Sequence, residues 1–226
     1  MRKSLLFVWA CMGLVCLMSA CKTSVKSKEW KLVWVEDFDQ KNSFDESVWT
    51  KIPRGTSDWN NYMSYYDSCY AMQDGNLILR GIANHTQKND TAPYLTGGVY
   101  TKGKKLFTGG RVEVCARLQA AKGAWPAIWM LPEKAEWPKG GEIDIMERLN
   151  HDHIAYQTTH SYYTHILGIK DNPPHGGINK INPEEYNIYS VDIYPDSLVF
   201  AVNHRHTYTY PVSYTHLRAH ETAANL

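Results

Sequence analysis

The run Glu142-Ile143-Asp144-Ile145-Met146-Glu147 breaks the parity that a pleated strand imposes, and that break constrains the fold around it. Side chains on a regular strand alternate between faces, so Glu142 and Asp144 share one face while Ile143 and Ile145 take the other. Glu147 falls on the isoleucine face unless the strand carries one extra residue. A β-bulge at Ile145-Met146 supplies it, because two residues then oppose one on the neighbouring strand and the side chains beyond are re-aimed. With that bulge Glu142, Asp144 and Glu147 line one surface, and the apolar side chains lie buried behind them.

Two duller meanings compete. Clustered acids commonly form a solvated edge, but such an edge has no use for interleaved isoleucines. A calcium ion takes about six to eight oxygen ligands, more than one strand offers. Carboxylates held side by side on a half-buried strand instead drive one another's pKa values apart, leaving one protonated near neutrality while another stays charged. Glycoside hydrolysis with retained configuration needs that division, between a nucleophile and a general acid/base about 5 to 5.5 Å apart.

Elsewhere the chain reads as short strands and turns. Lys31 to Val35 begins a strand; Asn76 to Arg80 follows the Asp74-Gly75 turn signal; Gly110 to Leu118 alternates cleanly; Ile188 to Tyr194, Ser197 to Val202 and His206 to Tyr210 make a meander. No amphipathic helix of ordinary length stands out. The expected fold is all-β: a jelly-roll sandwich of two antiparallel sheets, with a concave sheet forming a cleft for substrate. The length of 226 residues suits one such domain. A net charge of +1 supplies no basic stripe for phosphates, which argues against nucleic acid as a partner. Eight Trp and 15 Tyr against five Phe favour rings with a polar handle, suited to a wet sugar-binding groove or to an aromatic core.

The ends read differently. Arg2 and Lys3, the apolar run Leu5 to Leu17 and then Met18-Ser19-Ala20-Cys21 form a secretory signal over residues 1–20. Small residues before a cysteine resemble a bacterial lipoprotein cleavage box. Cys21 would carry the lipid, 21–29 would be a tether, and the protein would be exported and anchored at the periplasmic face or the cell surface. The apolar run is shorter than the roughly 20 residues that span a bilayer. Cys69 and Cys115 remain for the domain, either as a disulfide or as two buried thiols. Residues 212–226 show no alternation and resemble a translated sequencing-adapter read-through. They are expected to be a non-native tail, which would leave the 30–211 domain incomplete, with an unpaired sheet edge and poor solubility.

Taken together, Trp34 to Asp39, Asp74 to Leu77, Gly98 to Thr101, Gly123 to Leu131 and Gly141 to Glu147 resemble glycoside hydrolase family 16 over most of Trp30 to Tyr210. The resemblance implies a retaining endo-β-glycanase: Glu142 the nucleophile, Asp144 the assisting carboxylate, Glu147 the general acid/base. It implies sugar-stacking roles for Trp125 and Trp129, read here as sharing a strand face, with core packing as the alternative for Trp129. It places His160 beside the acid/base. His151 and His153 lack a third ligand and read as loop residues. The motif with the extra Met146 is similar to laminarinase, agarase and endo-galactosidase branches. In laminarinase-like members an Asn-Asn-Glu segment lies in the groove; here Asp58-Trp59-Asn60-Asn61-Tyr62 stands there, with Tyr62 in place of the glutamate. The family resemblance implies a β-1,3- or mixed-linkage glucan as substrate; the Tyr62 departure points to the alternative, a galactose-containing poly-lactosamine chain of mucin type contacted by Trp59, Asn61 and Tyr62. A carbohydrate-binding lipoprotein without catalysis is the reading from another class. No cofactor and no metal ligand are expected, the convex-face structural calcium common in the family being left open, and a monomer is expected.

Overall fold

The computed structural model describes residues 30–40, 43–119 and 121–212, together with the backbone of 222–225. The signal, Cys21 and the tether lie outside the described residues. The strands in chain order are β1 (Thr50–Lys51), β2 (Tyr70–Gln73), β3 (Asn76–Leu79), β4 (Gly81–Ala83), β5 (Tyr94–Thr96), β6 (Val99–Tyr100), β7 (Leu106–Phe107) and β8 (Gly110–Ala116). They continue as β9 (Ala127–Pro132), β10 (Glu142–Glu147), β11 (Ile154–His160), β12 (Gly176–Lys180), β13 (Asn187–Ile193), β14 (Ser197–Val202), β15 (Arg205–Pro211) and β16 (Thr222–Asn225).

Two antiparallel sheets face each other. One has the order β1-β6-β16-β9-β10-β11-β12, with β7 also pairing β16; the other has the order β15-β14-β13-β8. Ile128, Met130, Ile143, Ile145, Met146 and Ala155 of the first sheet meet Tyr189, Val191, Ile193, Leu198, Phe200 and Tyr210 of the second in one core. Every second residue of β11 and β14 is buried, as strands with one face inward require. This is the jelly-roll sandwich expected from the strand pattern.

Local turn chemistry sets the hairpins. Asp74 and Gly75 adopt φ of 52° and 70°, the paired left-handed residues of a type I′ turn, and close β2 onto β3 with Gln73 opposite Asn76. Asn203 and His204, with φ of 49° and 60°, do the same between β14 and β15.

Three expectations are corrected. The stretch before Glu36 forms no strand: Leu32, Val33 and Val35 are exposed, while Trp34 packs on Trp49 and Phe107 with ring centroids 6.4 and 5.7 Å away. Side chains hold this segment in place of a ladder, with Glu36 accepting from the Phe38 N–H and from Trp49 Nε1, each at 3.0 Å. Cys69 and Cys115 are both unpaired, and only Cys69 is buried, so neither a disulfide nor two buried thiols is present. The edge expected to lack a partner is filled, since the backbone of Thr222–Asn225 lies between β6/β7 and β9. Strand pairing engages backbone groups that every residue except proline carries, so an open edge accepts any extended segment that reaches it. No helix among the described residues is long and apolar enough to cross a membrane.

Candidate active site

β10 carries the bulge that parity demands. Against β11, Asp144 pairs with Thr158 and Glu147 with Tyr156, so three steps on β10 match two on its neighbour; against β9, Asp144 pairs with Trp129 and Met146 with Ile128. Ile143, Ile145 and Met146 are buried to within 1%. Both bulge residues thus point into the core, and Glu147 emerges half-buried on the same face as Glu142 and Asp144.

Register gives the floor around the carboxylates. Directly opposed residues share a face, so His160 stands beside Glu142, Thr158 and Trp129 flank Asp144, and Tyr156 and Ala127 flank Glu147. His160 therefore lies at the Glu142 end of the strand, its Nε2 3.3 Å from Asp144 Oδ2, and not beside Glu147 as the resemblance suggested. The antiparallel course of β11 causes this, because its later residues run back toward the start of β10.

An indole serves each outer carboxylate. Trp125 Nε1 donates to Glu147 Oε1 at 2.8 Å, and Trp137 Nε1 donates to Glu142 Oε2 at 2.6 Å. Trp125 is not on a strand with Trp129: β9 begins at Ala127, after Pro126, which has no N–H to give a ladder. Trp125 instead reaches the acids from the preceding loop. Trp129 belongs to the outer face of β9, and Trp59 packs edge-on against it at 5.0 Å. Tyr62 meets Tyr94 edge-on at 6.1 Å. Between them in sequence, Asn61 has a buried Oδ1 without a hydrogen-bond partner. Neighbouring Asn60 shapes this loop, and a Cβ on Gly55 would come within 2.3 Å of its side-chain Nδ2, so any larger residue there would push the Asn60 side chain aside.

Burial, and then the charge of Asp144, push Glu142 up to about 7; His160 and the Trp137 hydrogen bond work against this. Burial, and then the charge of Glu147, lift Asp144 well above the usual carboxylate range. A proton is thereby retained within the Glu142–Asp144 pair close to neutrality. Their mutual hydrogen bond raises Glu142 and lowers Asp144, so it runs from the Glu142 carboxyl to the Asp144 carboxylate, which is only 3% exposed.

Three residues that the sequence reading did not single out support this face. Trp137 precedes the strand in a Trp-Pro-Lys-Gly-Gly turn, where an aromatic next to proline was the available signal. Gln157 is fully buried on the core face of β11, and its Nε2 donates at 2.8 Å to the carbonyl of Ile145, the bulge residue that the ladder leaves over. A polar residue at core parity was the clue to it. Arg148 is 3% exposed and turns inward after Glu147, donating to the carbonyls of Asp152, at 2.7 Å, and Leu118. His151 and His153 remain loop residues, and among the described residues no group of three or more His, Cys, Asp or Glu side chains is arranged to hold a metal ion.

Comparison with known proteins agrees with this geometry. The family described as "XgeA-like, catalytic GH16 domain" matches residues 69–183. A keratan-sulfate endo-1,4-beta-galactosidase of Sphingobacterium multivorum is 38% identical over 83% of this chain, which spans 45% of that protein's length. A beta-glucanase of Rhodothermus marinus is 30% identical over 87% of this chain and 71% of its own. The solved laminarinase from Rhodothermus marinus superposes with a TM-score of 0.76 at 26% identity, over 87% of this chain and 84% of that one. With its two-sheet sandwich and bulged acidic strand, the chain belongs to glycoside hydrolase family 16.

Proposed function

We propose that this chain is a retaining endo-β-glycanase that cuts internal β-glycosidic bonds of a polysaccharide. The observation that carries the reading is the bulge between Asp144 and Glu147, which turns three carboxylates onto one face and gives the two outer ones an indole donor each. Glu142, in its ionised form, attacks the anomeric carbon as Glu147 protonates the leaving oxygen. Glu147 then takes a proton from water, which releases the sugar from Glu142. Trp59, Trp125 and Trp129 offer ring faces to sugars on the β9 side.

For substrate we favour a galactose-containing chain over a β-1,3- or mixed-linkage glucan. Tyr62 occupies the position where laminarinase-like members carry glutamate, and the galactosidase relative is the more identical of the two compared. The test is product analysis on laminarin, mixed-linkage glucan, agarose and mucin oligosaccharides, with the first-formed anomer read by NMR. Oligosaccharides of retained configuration from the galactose-containing substrates are expected. An inverted anomer sinks the mechanism, cleavage of glucans alone sinks the substrate reading, and binding with no cleavage of any favours the lectin-like alternative.

We also infer export and lipid anchoring through Cys21, supported by the basic start, apolar run and small residues before it. Cys21→Ala should abolish metabolic labelling with a fatty acid and release the protein from the membrane fraction; unchanged labelling refutes the anchor.

A further inference from the structure

Trp137 is 48% exposed, yet it holds the shortest hydrogen bond to a carboxylate in the candidate site, 2.6 Å to Glu142 Oε2. A ring so exposed on a loop between strands would ordinarily be free to turn away. What stops it comes from a different loop. The ring of His165 meets the Trp137 indole edge-on, with centroids 4.4 Å apart and planes at 61°.

His165 is itself held. It lies in the single turn Tyr162–Ile166 after β11, which is closed by a reciprocal box: Thr164 N–H donates to Ser161 Oγ at 3.2 Å, and Ser161 N–H to Thr164 Oγ1 at 2.9 Å. The His165 N–H adds a bond to the Ser161 carbonyl at 2.8 Å. Ser161 and Thr164 are each 1% exposed, and Ser161 Oγ lies 3.4 Å from the hydroxyl of the fully buried Tyr210. An unbroken line of contacts thus runs from the sandwich core through Ser161, His165 and Trp137 to the carboxylate of Glu142.

We infer that His165 is a positioning residue for the nucleophile, acting on Glu142 through Trp137. The inference rests on the retaining reading above. A side chain that fixes the attacking oxygen acts on the chemical step and hardly on binding, because orientation is what a near-attack geometry requires. The groups that face Glu142 are Asp144, His160 and Trp137; Asp144 opposes its charged form, while His160 and then the Trp137 hydrogen bond favour it. Freeing the indole should therefore make Glu142 harder to ionise.

The experiment compares the full chain with His165→Ala, His165→Phe and Trp137→Phe. On the cleaved polysaccharide His165→Ala should lower kcat about tenfold, equal to about 1.4 kcal/mol, leave KM within about twofold, and move the acid limb of kcat/KM to higher pH. Trp137→Phe, which keeps a ring but loses the N–H, should move the limb further. His165→Phe should restore most of the rate. On an aryl glycoside whose leaving group needs no proton, the His165→Ala deficit should persist, because it lies at the nucleophile. An unmoved acid limb in His165→Ala and Trp137→Phe, or a deficit that vanishes on the aryl glycoside, overturns the inference alone. If His165→Ala fails to fold, the limb of Trp137→Phe and the rate of His165→Phe decide it. A wild-type chain inactive on every substrate overturns the retaining reading and this inference together.

Discussion

The two ends of β10 are built differently. At the Glu142 end the indole of Trp137 is clasped by His165, and the carboxylate sits against buried Asp144 and His160. At the Glu147 end Trp125 is 46% exposed, and its support is applied to the backbone: Gly123 N–H donates to Asn150 Oδ1 at 2.7 Å, Asn150 N–H to the Ala124 carbonyl at 2.9 Å, and Arg148 N–H to Pro126 at 3.0 Å. The first end braces its indole with a second ring; the second braces the loop that carries its indole. A nucleophile must meet one carbon in one orientation, whereas an acid/base must serve a leaving oxygen and then a water in successive steps.

The largest expected effect separates the two ends outright. Glu142→Gln should lower kcat about 10⁴-fold or more on every substrate, aryl glycosides included, while circular dichroism and melting temperature stay close to wild type. Glu147→Gln should lower kcat/KM about 10²- to 10⁴-fold on polysaccharide and far less on an aryl glycoside with a good leaving group, whose first step needs no acid. Equal losses on both substrate types for Glu147→Gln would erase the distinction between the two ends.

Asp144→Asn probes the charge coupling along the strand. Glu142 is raised from 4.5 to about 7 and Asp144 is raised as well, so the folded state binds more protons than the unfolded chain in that window. Stability from this pair is then fully present below the unfolded carboxylate pKa and is lost as pH climbs toward about 7. Replacing Asp144 by a neutral amide removes its charge from Glu142. The acid limb of kcat/KM should move to lower pH, and the fall in melting temperature between acid and neutral pH should shrink. A limb that stays in place would mean that burial alone sets the Glu142 titration.

Much of this site could be read from sequence because parity is a local property. A two-residue period with one step too many leaves no other way for Glu147 to join Glu142, and the buried pair Ile145-Met146 follows from it. Pro126 marks the start of β9, and a spacing of four between Trp125 and Trp129 cannot by itself show that a proline ends the strand between them. The Trp137–His165 contact could not be read, since it joins residues from two loops that have no periodicity and sit 28 positions apart by their numbering, 165 against 137. The lack of a strand at Leu32 to Val35 was equally hidden: alternation shows that a segment can pair, but a partner's presence is a tertiary fact.

The smallest expected effect falls on the bulge itself. Gln157 Nε2 donates to the carbonyl of Ile145 at 2.8 Å and to that of Ala201, on the opposite sheet, at 3.2 Å, so one amide ties the extra residue of β10 across the core. Its own Oε1 is buried with no partner, a cost that partly offsets the gain. Gln157→Leu keeps similar volume, removes both the donor and the orphaned acceptor, and strands the Ile145 carbonyl. A net loss of about 1 kcal/mol is expected, within the usual range for an unmet buried carbonyl less the relief of Oε1, or about 2–4 °C in melting temperature for a chain of this size. The bulge lies between Asp144 and Glu147, so loosening it shifts Glu147 and leaves Glu142 in register with His160. Activity should therefore fall several-fold on polysaccharide and hardly at all on an aryl glycoside, repeating the Glu147 pattern in miniature. A loss shared equally by both substrates would place the effect of Gln157 on the sandwich as a whole, and the bulge would then be held by the buried side chains of Ile145 and Met146 without help from the amide.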